Sequence, residues 1–102
     1  MKKNQEIPVH YSADAWADLG FTLAEAQDLR IRSGMIIALR KFIKEKKLTQ
    51  ARAAKLLGVT QPRMSDLLNG KIDLFSMGTL VKLLAKAGFQ VEINIRKTAK
   101  AA

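Results

Sequence analysis

Two helix starts and one helix stop crowd together between Leu48 and Gly70 (LTQARAAKLLGVTQPRMSDLLNG), and this punctuation leaves the segment one ready solution, two short helices joined by a tight turn. Thr49 offers a hydroxyl that can cap the free N–H groups of a first helix running to Leu57 through Ala51, Ala53, Ala54 and Leu56. Gly58 ends that helix, because the position just past a helix end usually needs a left-handed backbone, which costs glycine nothing. Val59 plugs the corner. Thr60 is the second cap, and Pro62 fits the first turn of the next helix, where a missing N–H is no loss. Met64, Leu67 and Leu68 then recur at helical spacing as a buried stripe ending at Asn69 and Gly70, and Ala54 is small where the two helices would cross. Such a unit places a helix in the DNA major groove.

Around it the chain reads as helices with one late strand. From Asp28 to Lys47, Ile31, Met35, Leu39 and Phe42 share a face with Ala38 and Ile43, while Arg32, Arg40, Lys41 and Lys44 lie elsewhere, the pattern of a support helix. Thr22 and Glu25 have the spacing of a capping box that opens a helix before residue 30, and Gly34 leaves open whether the two are continuous. Ser76 caps a further helix carrying Leu80, Leu83, Leu84 and Ala87, which Gly88 terminates. Phe89, Val91, Ile93 and Ile95 then alternate with Gln90, Glu92, Asn94 and Arg96, a period of two that predicts a strand. A strand needs a partner, either the same strand of a second copy or the segment Ile7 to Tyr11. Pro8 weakens the internal choice, so a symmetric homodimer paired through Phe89, Val91, Ile93 and Ile95 is the expectation, with two recognition helices about one DNA turn, ~34 Å, apart.

Charge separates a DNA reader from a hairpin that only packs. The 102-residue chain carries 18 Lys and Arg against 9 Asp and Glu. Residues 1–29 hold two basic and five acidic side chains, net −3, and the remainder sixteen against four, net +12. A basic domain of this size attracts polyanions over about a Debye length, ~8–10 Å, and nucleic acid is the natural partner. No enzyme chemistry is legible: there is one histidine, His10, no cysteine, and no acid pair or glycine-rich phosphate loop in a chemical context. The expectation is a non-enzyme without metal or cofactor. The absence of cysteine suits a reducing compartment, the N-terminus lacks an apolar signal core, and the longest apolar run, Met35–Leu39, is too short to span a bilayer. A cytoplasmic protein with no membrane partner is expected.

The spacing resembles the helix-turn-helix of the phage-repressor (Xre/Cro) family. Counted from Gln50, that family places a small residue fifth, glycine ninth, and aliphatic residues tenth, fifteenth and eighteenth, which Ala54, Gly58, Val59, Met64 and Leu67 supply. Over residues 14–96, with WADLGF early, LTQA in the middle, NGKIDLFS after the motif and the late strand, the chain is similar to the HigA-type antitoxins. The resemblance implies a mainly α, four- to five-helix phage-repressor-like bundle with a helix-turn-helix and one C-terminal β-strand pairing across a dimer. It further implies a repressor that neutralises a small basic ribonuclease toxin of the RelE/HigB superfamily and regulates its own operon. A free-standing Xre-type regulator without a toxin shares the same core and is the alternative.

Helix geometry assigns the contacts to double-stranded operator DNA. With Met64, Leu67 and Leu68 inward, about 100° per residue turns Pro62, Ser65, Asp66 and Asn69 outward and puts Gln61 and Arg63 on the flanks. Gln61 can bond an adenine edge, Arg63 a guanine or a phosphate, and Asp66 a cytosine amino group. Positions 61, 62 and 66 also match the base-reading positions of the resembled family, where Pro62 offers apolar contact alone. Gln50, Thr60, Asn69 and Lys71 fit backbone anchoring through side chains and helix-start N–H groups. Thr60 and Asn69 can equally be caps alone, and Asp66 can instead pair with Arg63 or a lysine. Arg52 and Lys55 read as solvated helix charges.

Three regions follow: an acidic arm over 1–21, a DNA-binding and dimerisation domain over 22–96, and a basic tail over 97–102. The arm, with Tyr11, Trp16, Leu19 and Phe21 among carboxylates, suits a basic toxin surface, or else Trp16 and Phe21 pack on the core.

Overall fold

The structure, a computed structural model, describes residues 20–97. The Ile7–Tyr11 segment, His10, Trp16, Leu19 and residues 98–102 lie outside the described residues. Among the described residues, four α-helices and one short turn of 3₁₀ helix follow in order: α1 (Leu23–Glu45), α2 (Gln50–Leu57), α3 (Gln61–Leu68), the 3₁₀ turn (Ile72–Leu74) and α4 (Met77–Lys86).

Each of these four α-helices starts on a hydroxyl. Thr22, Thr49, Thr60 and Ser76 accept from the backbone N–H groups of Glu25, Arg52, Arg63 and Thr79 at 3.1 to 3.2 Å, and the Glu25 side chain answers the Thr22 N–H at 2.9 Å to complete the capping box. α1 passes through Gly34 unbroken, so the early capped helix and the support helix are one. Gly34 is buried on it.

All four α-helices also stop in the same way. A residue with positive φ follows each, and two backbone bonds fold the next N–H groups back: Leu48 to Ile43, Val59 to Ala54, Lys71 to Asp66 and Phe89 to Leu84, at 2.9 to 3.1 Å, each joined by a second bond one residue inside. Three of these ends use Gly58, Gly70 and Gly88, but the end of α1 uses Lys47 at φ +53°.

The core is one apolar cluster. Met35, Ile36, Leu39 and Ile43 of α1 meet Ala53, Ala54 and Leu57 of α2, Met64 and Leu67 of α3, Phe75, and Leu80, Leu83 and Leu84 of α4. Ala53 and Ala54 let α2 approach closely, and Val59 packs at the corner as expected. Ile31 and Phe42, expected on the buried face of α1, are only half-buried, whereas Ile36 is fully inside.

The expected C-terminal strand is not formed: among the described residues there is no strand. The alternation nevertheless marks a real difference between its residues. Phe89 packs against Phe42 edge to face, with ring centroids 5.9 Å apart, and Val91 lies on the core, while Ile93 and Ile95 are 57% and 92% exposed. Residues 89–97 thus follow the core for its first half and leave it for the second. Strand hydrogen bonds need a second extended segment, and residues 20–97 contain no other.

Candidate nucleic-acid interface

The two N-termini of the helix pair are tied together by a side chain. Gln50, the first residue of α2, donates from Nε2 to the carbonyl of Gln61, the first residue of α3, at 3.2 Å. With the Gly58 corner (φ +71°) behind it, this bond fixes how far α3 projects beyond α2. Lys86 braces the same corner from α4, donating to the Leu57 carbonyl at 3.3 Å, where the end of α2 concentrates partial negative charge.

α3 buries Met64 and Leu67 and leaves Gln61, Pro62 and Asn69 exposed with Ser65 and Asp66 partly so. Most of the contact residues assigned from the sequence are paired with each other. Asn69 donates to the Ser65 hydroxyl at 3.4 Å, and Asp66 pairs with Lys71 at 3.4 Å. The Thr60 hydroxyl is occupied in capping the Arg63 N–H at 3.2 Å. The alternatives of an ion pair for Asp66 and a cap for Thr60 are therefore the arrangements present. Asn69 is the terminal cap residue of α3 through its backbone N–H, which reaches the Ser65 carbonyl.

Arg63 lies on the flank of α3, where it meets an aromatic ring. Its guanidinium carbon lies 4.0 Å from the centroid of the Phe75 ring. Phe75 is held in turn by Arg32, whose Nη1 donates to the carbonyls of Ile72 and Phe75 at 3.0 and 3.3 Å and whose Nη2 meets Asp28 at 2.6 Å. Both supporting residues escaped the sequence reading. Phe75 stands in a segment without helical or strand period, and Arg32 lies off the apolar face of the support helix.

Helix-start N–H groups are unequally available. At α2 the Thr49 cap takes the third, leaving those of Gln50 and Ala51 without a partner among the described residues. At α3 the Thr60 cap takes the third and Pro62 has none, so that of Gln61 remains. An anion at the backbone is better met by α2.

Among the described residues only Arg32 and Lys71 form ion pairs with a carboxylate, so the positive charge of the domain is largely uncompensated. No helix among the described residues is long and apolar enough to cross a membrane.

Residues 15–96 match the helix-turn-helix domain family. A solved structure described as an XRE family transcriptional regulator superposes with a TM-score of 0.67 at 36% sequence identity, covering 76% of this chain and 86% of the other. No curated protein matches the chain. With its two capped helices around a glycine corner, seated on a long support helix and closed by α4, this chain belongs to the helix-turn-helix domain family.

Proposed function

We propose that the chain is a DNA-binding transcriptional regulator that lays α3 in the major groove of an operator. Gln61 and the outward Pro62, Ser65 and Asp66 then face base edges, while Gln50, Thr60, Asn69 and Lys71 lie along the backbone. The observation that carries this reading is the Gln50–Gln61 bond, which presents the tips of α2 and α3 as one surface on a domain whose cations are mostly unpaired. The likeness to a regulator of the XRE family supports it. The test is binding of the purified chain to its own promoter duplex. Gln61→Ala is expected to relax discrimination at one base pair by ~1–3 kcal/mol, and equal binding of promoter and scrambled duplex by the wild type would make the chain a nonspecific binder.

The finer role is that of a homodimeric repressor that serves as the antitoxin of a type II pair, neutralising a RelE/HigB-like ribonuclease and repressing the shared operon. Exposure of Ile93 and Ile95 supports a second copy as the cover for that edge. The resemblance of residues 14–96 to HigA-type antitoxins supports the toxin. A chain tagged at its C-terminus, purified from its host and weighed intact distinguishes the readings. A stoichiometric small basic partner establishes the antitoxin, and a bare dimer that still shifts its promoter establishes the free-standing regulator.

A further inference from the structure

We propose that Arg63 is a clamp for a DNA backbone phosphate and that Phe75, a residue outside the two-helix unit, sets its working position; this rests on the DNA-binding reading above. The guanidinium lies over the Phe75 ring at 4.0 Å, and the ring cannot slide away, because Phe75 is 1% exposed and its carbonyl is held by Arg32. With its central carbon over the ring, the guanidinium still carries its N–H donors around it. Among the described residues no acceptor and no carboxylate meets the Arg63 side chain, although Asp66 stands three residues on and pairs with Lys71 instead. A planar cation held over a ring with its donors unpaired within the protein suits a bidentate oxyanion.

Two groups of duplex DNA offer such an acceptor, a phosphate and the guanine O6/N7 edge, and position decides between them. About 100° per residue puts Arg63 on the flank of α3 beside Leu67, away from the outward line of Pro62, Ser65, Asp66 and Asn69. A helix seated in the major groove has bases in front of it and sugar-phosphate walls on its flanks. Its place over Phe75 keeps Arg63 on that flank. Arg63 therefore positions the helix and does not read sequence.

The experiment compares the full chain with Arg63→Gln, Arg63→Lys and Phe75→Leu on its promoter duplex and on a scrambled duplex of equal length, across a salt series. Arg63→Gln is expected to weaken both about ten-fold and to lower the slope of log K against log salt by about one. Arg63→Lys keeps the slope and recovers part of the affinity. Phe75→Leu, checked for its helical circular dichroism, keeps the slope and weakens both duplexes about three-fold, since the charge stays and its support goes. Loss confined to single base-pair variants of the promoter would overturn the clamp in favour of guanine reading. Arg63→Gln binding like the wild type would reduce Arg63 to a packing role, and a folded Phe75→Leu that binds like the wild type would remove the ring from the proposal. A wild type that binds neither duplex overturns the DNA-binding reading itself, and that result is read before any variant.

Discussion

Asp66 and Lys71 occupy the two positions at the end of α3 where the other helices place an apolar pair, and they meet as an ion pair at 3.4 Å. The corresponding residues are Ile43 and Leu48 in α1, Ala54 and Val59 in α2, and Leu84 and Phe89 in α4, all joined by the same backbone bond. An apolar contact normally seals this type of helix end. At the end of α3 the two side chains are 29% and 57% exposed, so an apolar pair there would stay partly wet. The ion pair is a weak substitute, as exposed pairs contribute about 0–1 kcal/mol.

That weakness yields a prediction about binding. Asp66→Asn removes the one carboxylate of α3 and releases Lys71, so affinity for promoter and scrambled duplexes should rise together, about two- to five-fold near 0.1 M salt, with a steeper salt dependence. Fluorescence anisotropy reads both. If Asp66 instead accepts from a cytosine, promoter binding falls by ~1–3 kcal/mol while scrambled binding does not.

Arg32 should matter more to stability than its charge implies. Its guanidinium closes the loop after α3 onto α1 by bonding two carbonyls 40 and 43 residues away, and it keeps the Asp28 pair at the same time. Arg32→Lys cannot reproduce that fork, and urea unfolding is expected to show a loss of about 1.5–3 kcal/mol. A loss under about 0.5 kcal/mol would mean that the loop is held by Phe75 packing alone.

The difference between what could and could not be read from the chain has the same physical origin. Helix starts and glycine stops were legible because caps and left-handed turns are decided by one residue and its immediate neighbours. Thr22, Thr49, Thr60 and Ser76 therefore stand where their sequence placed them. Arg32 was not legible, because its acceptors are carbonyls of a distant loop with no side-chain signature. The alternation of Phe89, Val91, Ile93 and Ile95 was visible, but whether it becomes a strand depends on what lies beside it. In the site, Gln50 and Gln61 were named separately, and only the fold shows that the first holds the carbonyl of the second.

The end of α1 is an opportunity for stabilisation. Lys47 holds φ +53° where the other helices use glycine, and a left-handed residue with a Cβ carries a penalty of roughly 1–2 kcal/mol. Glycine loses more chain entropy on folding, which offsets part of the relief. Lys47→Gly should thus raise stability by about 0.5–1 kcal/mol, measured as an increase in urea midpoint at unchanged m-value.

Acid should loosen the start of α1 before its core. The Thr22 N–H, bonded to Oε1 at 2.9 Å, and then the Thr22 hydroxyl hold the Glu25 carboxyl below the usual glutamate range. Because the folded value is depressed, the stabilisation is complete above the unfolded value of about 4.3 and is lost as pH falls through the folded one. Glu25→Gln should flatten that part of the stability profile below about pH 4.3 and leave the neutral side unchanged in slope, as followed by thermal melts across pH.

The corner between α2 and α3 couples two residues that are far apart in the chain. A Cβ at Gly58 would stand 2.7 Å from Lys86 Nζ, the atom that donates to the Leu57 carbonyl at 3.3 Å. Gly58→Ala therefore meets two penalties, the left-handed backbone at φ +71° and eviction of the lysine that braces the end of α2. In a Lys86→Ala background the second penalty is already absent. A double-mutant cycle should show Gly58→Ala costing about 0.5–1.5 kcal/mol less there than in the wild type, since residues that share a contact are not additive. Additive effects would mean that the long lysine side chain swings aside without loss, and that Gly58 is required for its backbone alone.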